Sequence, residues 1–414
     1  MSLYSSDKRS NWVDFMDKSL QTSLSYLHAN QETMVKQLFQ FCEINSGTDN
    51  LVGLNTMLQT LWSAFKNIGD IIQPQKLPPL ATINMTGHTT LQSCGEVLFI
   101  QKRPDLPRRI LLCGHMDTVY PADSPFQTLT YVDENTINGP GVADMKGGLI
   151  VMLHALTAFE MNPNASNIGW DVLINADEEI GSPASSLLFS EIAHRYEAAL
   201  LYEPAMNIHG TIAKNRKGSG KITLIATGVA AHAGRSFTQG KNAICFLAEA
   251  LIAIHALNGL REGVTINVGL IAGGEALNIV PDRAVAKLDI RINHPDDEAW
   301  VRQQIDNIIV NTKQEGYSLI ASGDFTRPVK RVNKDTEQLF QRIQKVGHEI
   351  GLTLDWEDSG GCCDGNNLAN AGLPVIDTLG VRGGQIHSPK EFILIDSLVE
   401  RASLSMLLLN ELVR

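Results

Sequence analysis

The run Leu111-Leu112-Cys113-Gly114-His115-Met116-Asp117 does most to limit what this chain can become. A short apolar stretch stops at a glycine and delivers a histidine, with an aspartate close behind. Such a run predicts a buried strand whose end carries polar chemistry, as in open α/β sheets. The pattern recurs. Trp170 to Ala176 runs into Asp177, Glu178 and Glu179, and Ala198 to Tyr202 runs into Glu203. Between these runs, Gly147 to Phe159 and Ala184 to Tyr196 read as crossover helices. Strands alternating with helices predict α/β architecture around a mostly parallel sheet.

At 414 residues the chain suits two domains. Helical spacing of Trp12, Phe15, Met16, Leu20, Leu24 and Leu27 predicts a helix from about Asn11 to Phe41, and a second covers Leu51 to Ile68. The pattern changes near Arg216-Lys217-Gly218. Ser219 to Thr227, Val264 to Ile271 and Ala284 to Ile292 alternate like half-exposed strands, and Ser318 to Ser322 adds another. Helices are expected from Asn242 to Leu257 and from Asp296 to Glu315. Together these make an α+β unit over residues 216–327, inserted into a larger domain of residues 1–215 and 328–414. A helix from Thr336 to Ile350, a strand from Leu373 to Leu379 and a helix from Leu398 to Val413 complete the larger domain.

Composition excludes some classes of function. A formal charge of -11 is unsuited to a nucleic-acid surface, which needs clustered Lys and Arg. Six scattered cysteines with no CxxC pair read as reduced thiols of a cytoplasmic protein. Neither a signal-peptide core nor an uncharged apolar window of membrane-spanning length is evident. The chain is therefore expected to be cytoplasmic, with neither membrane nor nucleic acid as partner.

Several residues of metal-ligand type lie at strand ends or glycine turns. His115 follows one strand, with Asp117 placed to orient its imidazole. Asp144 sits in the glycine-rich stretch Gly139 to Gly148, where a Walker-type loop is excluded because Lys146 is followed by glycine. Asp177, Glu178 and Glu179 would repel one another at a strand end without a cation. One glutamate can bind metal while its neighbour acts as a general base. Glu203 and His387 complete the series. Taken singly, each has an ordinary reading: a hydrogen-bonded histidine, a helix cap, an acidic turn, an edge-strand glutamate, a loop histidine. The ordered set points to two zinc ions and a hydrolase, because two ions a few ångströms apart need a bridging carboxylate. A dinucleotide-binding oxidoreductase is excluded, since no GxGxxG follows an early strand.

The motifs GHMDTVYP (Gly114 to Pro121), GPGVADMKGG (Gly139 to Gly148), NADEEIGS (Asn175 to Ser182), YEP (Tyr202 to Pro204), GVAAHAG (Gly228 to Gly234), ALNIVPD (Ala276 to Asp282) and DSGGCCDG (Asp358 to Gly365) closely resemble, in order and spacing, the M20 family of co-catalytic zinc peptidases and amino-acid deacylases, in particular its glutamate carboxypeptidase branch. The resemblance implies a zinc-peptidase-type catalytic domain with an inserted lid that also carries a homodimer interface. It implies two Zn2+ per subunit, with Co2+ or Mn2+ as alternatives. Asp144 would bridge the ions, His115 and Glu203 would hold one, and Glu179 and His387 the other. Glu178 would be the general base and later the proton donor. His232 would stabilise an oxyanion, usually in the partner's site. Asn278, Arg291 and the Gly360-Gly361 turn would hold the substrate's carboxylate. The family's SGGGTD-type loop reads Ser359-Gly360-Gly361-Cys362-Cys363-Asp364 here, so two cysteines are new. Lys214, Arg216 and Lys217 lie near the lysine that some glutamate-releasing members use. The expected substrate is a small peptide or N-acyl amino acid, cleaved as by a carboxypeptidase. An acetylornithine- or succinyl-diaminopimelate-type deacylase is the alternative, and a non-catalytic metal- or amino-acid-binding protein is the alternative from another class.

Overall fold

A computed structural model describes residues 17–414. Residues 11–16 of the first expected helix lie outside them. The rest of that expectation divides into α1 (Lys18–Ala29) and α2 (Gln31–Cys42). Asn30 separates them: its amide and side chain both bond back to the Tyr26 carbonyl, ending the first helix there. Further along come α3 (Leu51–Phe65), α4 (Gly147–Glu160), α5 (Ser186–Ile192), α6 (Ala243–His255), α7 (Asp296–Asn311), α8 (Lys334–Glu349), α9 (Asp364–Asn370) and α10 (Asp396–Val413).

The main strands are β1 (Ile71–Gln75), β2 (Val97–Lys102), β3 (Arg109–His115), β4 (Gly169–Asn175), β5 (Ala198–Leu201), β6 (Gly218–Thr227), β7 (Thr265–Gly273), β8 (Arg283–Ile292), β9 (Ser318–Arg327) and β10 (Val375–Ile376). One six-stranded sheet runs β1-β2-β4-β3-β5-β10. Its β4–β3, β3–β5 and β5–β10 pairings are parallel, and its β1–β2 and β2–β4 pairings antiparallel. Every residue of β3 and β4 is buried, as helices on both faces require. The helix α4 is apolar all round because it is buried all round, packing against α10 and α1. With the turn before it, this helix is long and apolar enough to cross a membrane, yet 94% of that window is buried inside the protein.

Only Val375 and Ile376 of the expected strand Leu373 to Leu379 pair with β5. Pro374 precedes them, and Asp377 turns into a buried ion pair with Arg216 and Lys330. Strands β1 and β2 had no counterpart in the sequence reading.

The second sheet is antiparallel in the order β7-β8-β6-β9. One face packs on α6 and α7 in an apolar cluster of its own, running from Ile222 to Val329. The alternating burial along β6 and β8 follows from having one covered face.

Candidate metal centre

Three parallel strands bring their C-terminal ends to one edge of the large sheet. His115 is the last residue of β3, Glu178 and Glu179 lie in a short turn after β4, and Glu203 lies just past β5. Asp144 arrives on the loop before α4. Gly141, with φ of +68°, lets that loop turn. Gly148 lets α4 approach β5, since a Cβ there would lie 2.0 Å from the Tyr202 carbonyl oxygen. The Asp144–Met145 peptide bond is cis. His387 projects from a loop whose ends, Gly383–Gly384 and Phe392–Leu394, pair with each other, the second end pairing also with Thr136–Asn138. Its own backbone is left-handed, with φ of +61°.

Asp144 stands at the centre of this set. His115 Nε2 lies 3.1 Å from one of its carboxylate oxygens and His387 Nε2 lies 3.2 Å from the other. His387 Nε2 is also 3.3 Å from Glu179, and His115 Nε2 is 3.9 Å from Glu203. Donor atoms of His115, Asp144 and Glu179 lie within 4.8 Å of one another. Glu179 Oε1 is buried without a hydrogen-bond partner. A bridging carboxylate with a histidine on each side, two further carboxylates and an orphaned buried oxygen fit a pair of divalent cations.

The electrostatics agree with this fit. Burial pushes Glu179 up to about 8, with the Asp144 charge adding to the rise. Burial likewise raises Glu203 well above the carboxylate range. Burial would lower the His115 imidazole, but hydrogen bonds to Asp117 and Asp144 raise it well above its usual value. Hydrogen bonds to Asp144 and Glu179 carry His387 to about 10. Burial would raise Asp144, and its two histidine partners overcome that and lower it. Without metal, then, protons neutralise the cluster, and a cation must displace them. Apparent zinc affinity should therefore rise between about pH 6.5 and about pH 8, as competition with a chromophoric chelator would show. An affinity independent of pH would contradict it.

Asp117 does more than orient one ring. His115 Nδ1 donates to the Asp117 backbone carbonyl at 2.9 Å, with the carboxylate 3.4 Å away. That carboxylate accepts from the Glu178 and Glu179 amides and from Thr48 Oγ1, and so fixes the glutamate turn. Asp177 faces away from the centre. It accepts from the Ala184 and Ser185 amides and the Ser185 hydroxyl, at the start of α5.

Glu178 is held by Arg327, which sequence reasoning did not single out. The Arg327 guanidinium is 1% exposed. Its Nη2 donates to Glu178 Oε1 at 2.7 Å and to Ser182 Oγ at 2.9 Å, and its Nη1 donates to Asp364 and Asn367. Arg327 ends β9, so this fork ties the second sheet to the glutamate turn. Burial raises Glu178 to about 7, against the lowering effect of Arg327. Nothing local marks an arginine before Pro328 as buried, because all its partners are distant in sequence. Replacing Arg327 by Met should destabilise the metal-free protein by about 3–5 kcal/mol, because it leaves buried carboxylates unpaired. Urea unfolding would measure this, and a change below about 1 kcal/mol would contradict the pairing.

Of the expected substrate-holding residues, Arg291 lies on β8, Gly361 on a loop that reaches it and Asn278 in the connection between β7 and β8. Arg291 is paired and half-buried. Its Nε donates to Asp289 and its Nη1 to Cys362 Sγ, 3.2 Å away. Among the described residues, chain neighbours apart, nothing comes within 4 Å of a Cβ built on Gly360, and only the Ser359 hydroxyl and the Arg216 guanidinium approach one on Gly361. That turn therefore stays open. Cys363 is buried with its sulfur 3.8 Å from Asp377, and all six cysteines are free thiols. Arg216 is spent on Asp377 and Lys217 on the Gly263 carbonyl, while Lys214 lies over Trp356.

His232 and Asn278 stand beside one another, because Ala231–His232 pairs with Ile279–Val280 and the Ala233 amide donates to the Asn278 carbonyl. Among the described residues, neither is hydrogen-bonded or ion-paired to the carboxylate cluster. His232 Nδ1 accepts from the Gly234 and Arg235 amides, so its neutral ring carries the proton on Nε2.

Comparison with known proteins agrees with this geometry. The model of peptidase family M20/M25/M40 matches residues 111–411. Carboxypeptidase G2 of Pseudomonas sp. (strain RS-16) is 26% identical over 388 residues, covering 92% of this chain and 90% of that protein. A putative succinyl-diaminopimelate desuccinylase of Mycobacterium tuberculosis is 30% identical over 300 residues, covering 68% and 77%. The fold is shared with the crystal structure of aminopeptidase PepT from Bacillus cereus, at a TM-score of 0.67 and 22% identity, covering 93% of this chain and 99% of that one.

Proposed function

We propose, from the premise that this chain belongs to peptidase family M20/M25/M40 and is a metal-dependent hydrolase, that it is a two-zinc carboxypeptidase cleaving a peptide or amide bond beside a free carboxylate. The observation that carries this reading is the Asp144 carboxylate shared by His115 and His387, with Glu178 on the same turn as Glu179. Bound divalent ions would lower the pKa of water and polarise the scissile carbonyl. His115 and Glu203 would hold one ion, Glu179 and His387 the other, and Asp144 both.

The residues of the chain then divide the work. Glu178, poised near neutrality by burial, takes the proton from the attacking water and returns it to the leaving amine. Asp117 holds the glutamate turn and His115 in register. Arg291, Asn278 and the open Gly361 turn hold the substrate's carboxylate. Arg is suited to this, because its planar fork pairs a carboxylate twice, and the Arg291 Nη2 makes no hydrogen bond among the described residues. His232, with its proton on Nε2, serves as an oxyanion donor to the site of a second subunit. Residues 216–327 act as lid and dimer interface, and exposed Leu270, Ile271 and Ile252 on that unit support an apolar contact between copies.

A second reading, an N-acyl-amino-acid deacylase, is favoured by the 30% identity to the desuccinylase. Amino-acid release from a panel of dipeptides, N-acetyl and N-succinyl amino acids tests both. Release of C-terminal residues from dipeptides supports the carboxypeptidase. Release only from acyl amino acids transfers the assignment to the deacylase. Release from substrates with a blocked carboxylate would overturn both.

A further inference from the structure

Glu391 is fully buried, and all four contacts to its carboxylate come from amides and a phenol, none from a cationic side chain. Oε1 accepts from the Ala143 amide at 2.9 Å and the Asp144 amide at 3.0 Å. Oε2 accepts from Tyr120 Oη at 2.7 Å and the Gly141 amide at 3.3 Å. The backbone takes part as well. The Glu391 carbonyl accepts from the Gly139 amide and Asn138 Nδ2, and the Glu391 amide donates to Ser388. Tyr120 Oη also reaches the Ser388 carbonyl.

Each partner lies on a segment that carries a ligand. Tyr120 follows the His115 strand end, Gly141 to Asp144 form the loop of the bridging carboxylate, and Ser388 adjoins His387. We infer that Glu391 is the positioning residue of the metal centre, holding the Asp144 carboxylate in place and fastening together the loops that present His115, Asp144 and His387. This rests on the metal reading above.

The buried Lys146 ammonium is near enough to attract this carboxylate but makes no hydrogen bond to it, and an anion buried with no cation in contact is costly unless its oxygens are satisfied. Here the oxygens are satisfied, and the charge lies one peptide group behind Asp144, where it adds to the pull on a cation. Glutamine is a poor replacement, because it removes the charge and one acceptor. A carboxylate only accepts, and three of its four partners are backbone amides that only donate, so an amide NH2 would meet either Gly141 or both Ala143 and Asp144 donor to donor, even with the Tyr120 hydroxyl turned to the Ser388 carbonyl.

The test is Co2+ titration of the metal-free full chain, followed by visible absorption, with the thermal midpoint of the metal-free protein measured in parallel. Glu391→Gln should weaken Co2+ binding about 10- to 100-fold and alter the absorption bands. Tyr120→Phe, which leaves the amide contacts intact, should shift both in the same direction by less. A Glu391→Gln protein with unchanged affinity and bands, whatever its thermal midpoint, overturns the assignment. Failure of the unmodified chain to take up Co2+ overturns the metal reading together with this one.

Discussion

Replacing Glu178 by Gln should lower kcat by about 100- to 10,000-fold while leaving both metal ions bound. Glu178 Oε1 points at Arg327 and not at the histidines, so the ligand set stays whole when its charge is removed. The glutamine oxygen can still accept from Arg327, and the turn is fixed by the Asp117 bonds to the Glu178 and Glu179 amides, which do not involve the side chain. What is lost is a base that burial tunes to about 7, near the pH at which a proton must be both taken and returned. Metal content by atomic emission and turnover on the best panel substrate separate the effects. Near-normal turnover would remove Glu178 as the base, and loss of metal would make it a ligand.

Replacing Asp144 by Asn should cost both ions and with them all measurable turnover. Its two oxygens serve the two histidines separately, so the neutral amide loses the charge and one acceptor together. The change has a second signature in the metal-free protein. Hydrogen bonding to Asp144 is the foremost cause holding His387 at about 10. In the variant, that histidine should titrate closer to its ordinary value, which NMR of the imidazole protons would follow. A variant that retains two ions, or an unmoved His387, would mean that Asp144 is not the shared ligand.

What could be read in the sequence was what is local. His115, Glu179 and Glu203 are legible because each lies within a few residues of the end of an apolar run, and a buried parallel strand can end only at the sheet edge where sites form. The second sheet was legible because alternation over ten residues of β6 and of β8 reports one covered face. The edge strand β1 escaped because partial exposure dilutes the apolar signal. Ile71–Gln75 carries a proline, and four of its five residues are exposed. Arg327, Asp364 and Glu391 escaped for another reason. Their partners lie from 37 to 271 residues away, and a buried charge looks like a surface charge until its partners are known. The continuous helix expected from Asn11 was interrupted at Asn30, where a side chain that bonds its own backbone wins over helical periodicity.

Activity measured as zinc is returned to chelator-stripped protein decides whether this chain is a two-metal hydrolase. Hydrolysis of the best panel substrate should be absent without metal and should rise until two ions are bound per chain. Full hydrolysis in the stripped protein, or two tightly bound ions with no hydrolysis of any panel substrate, would contradict the account.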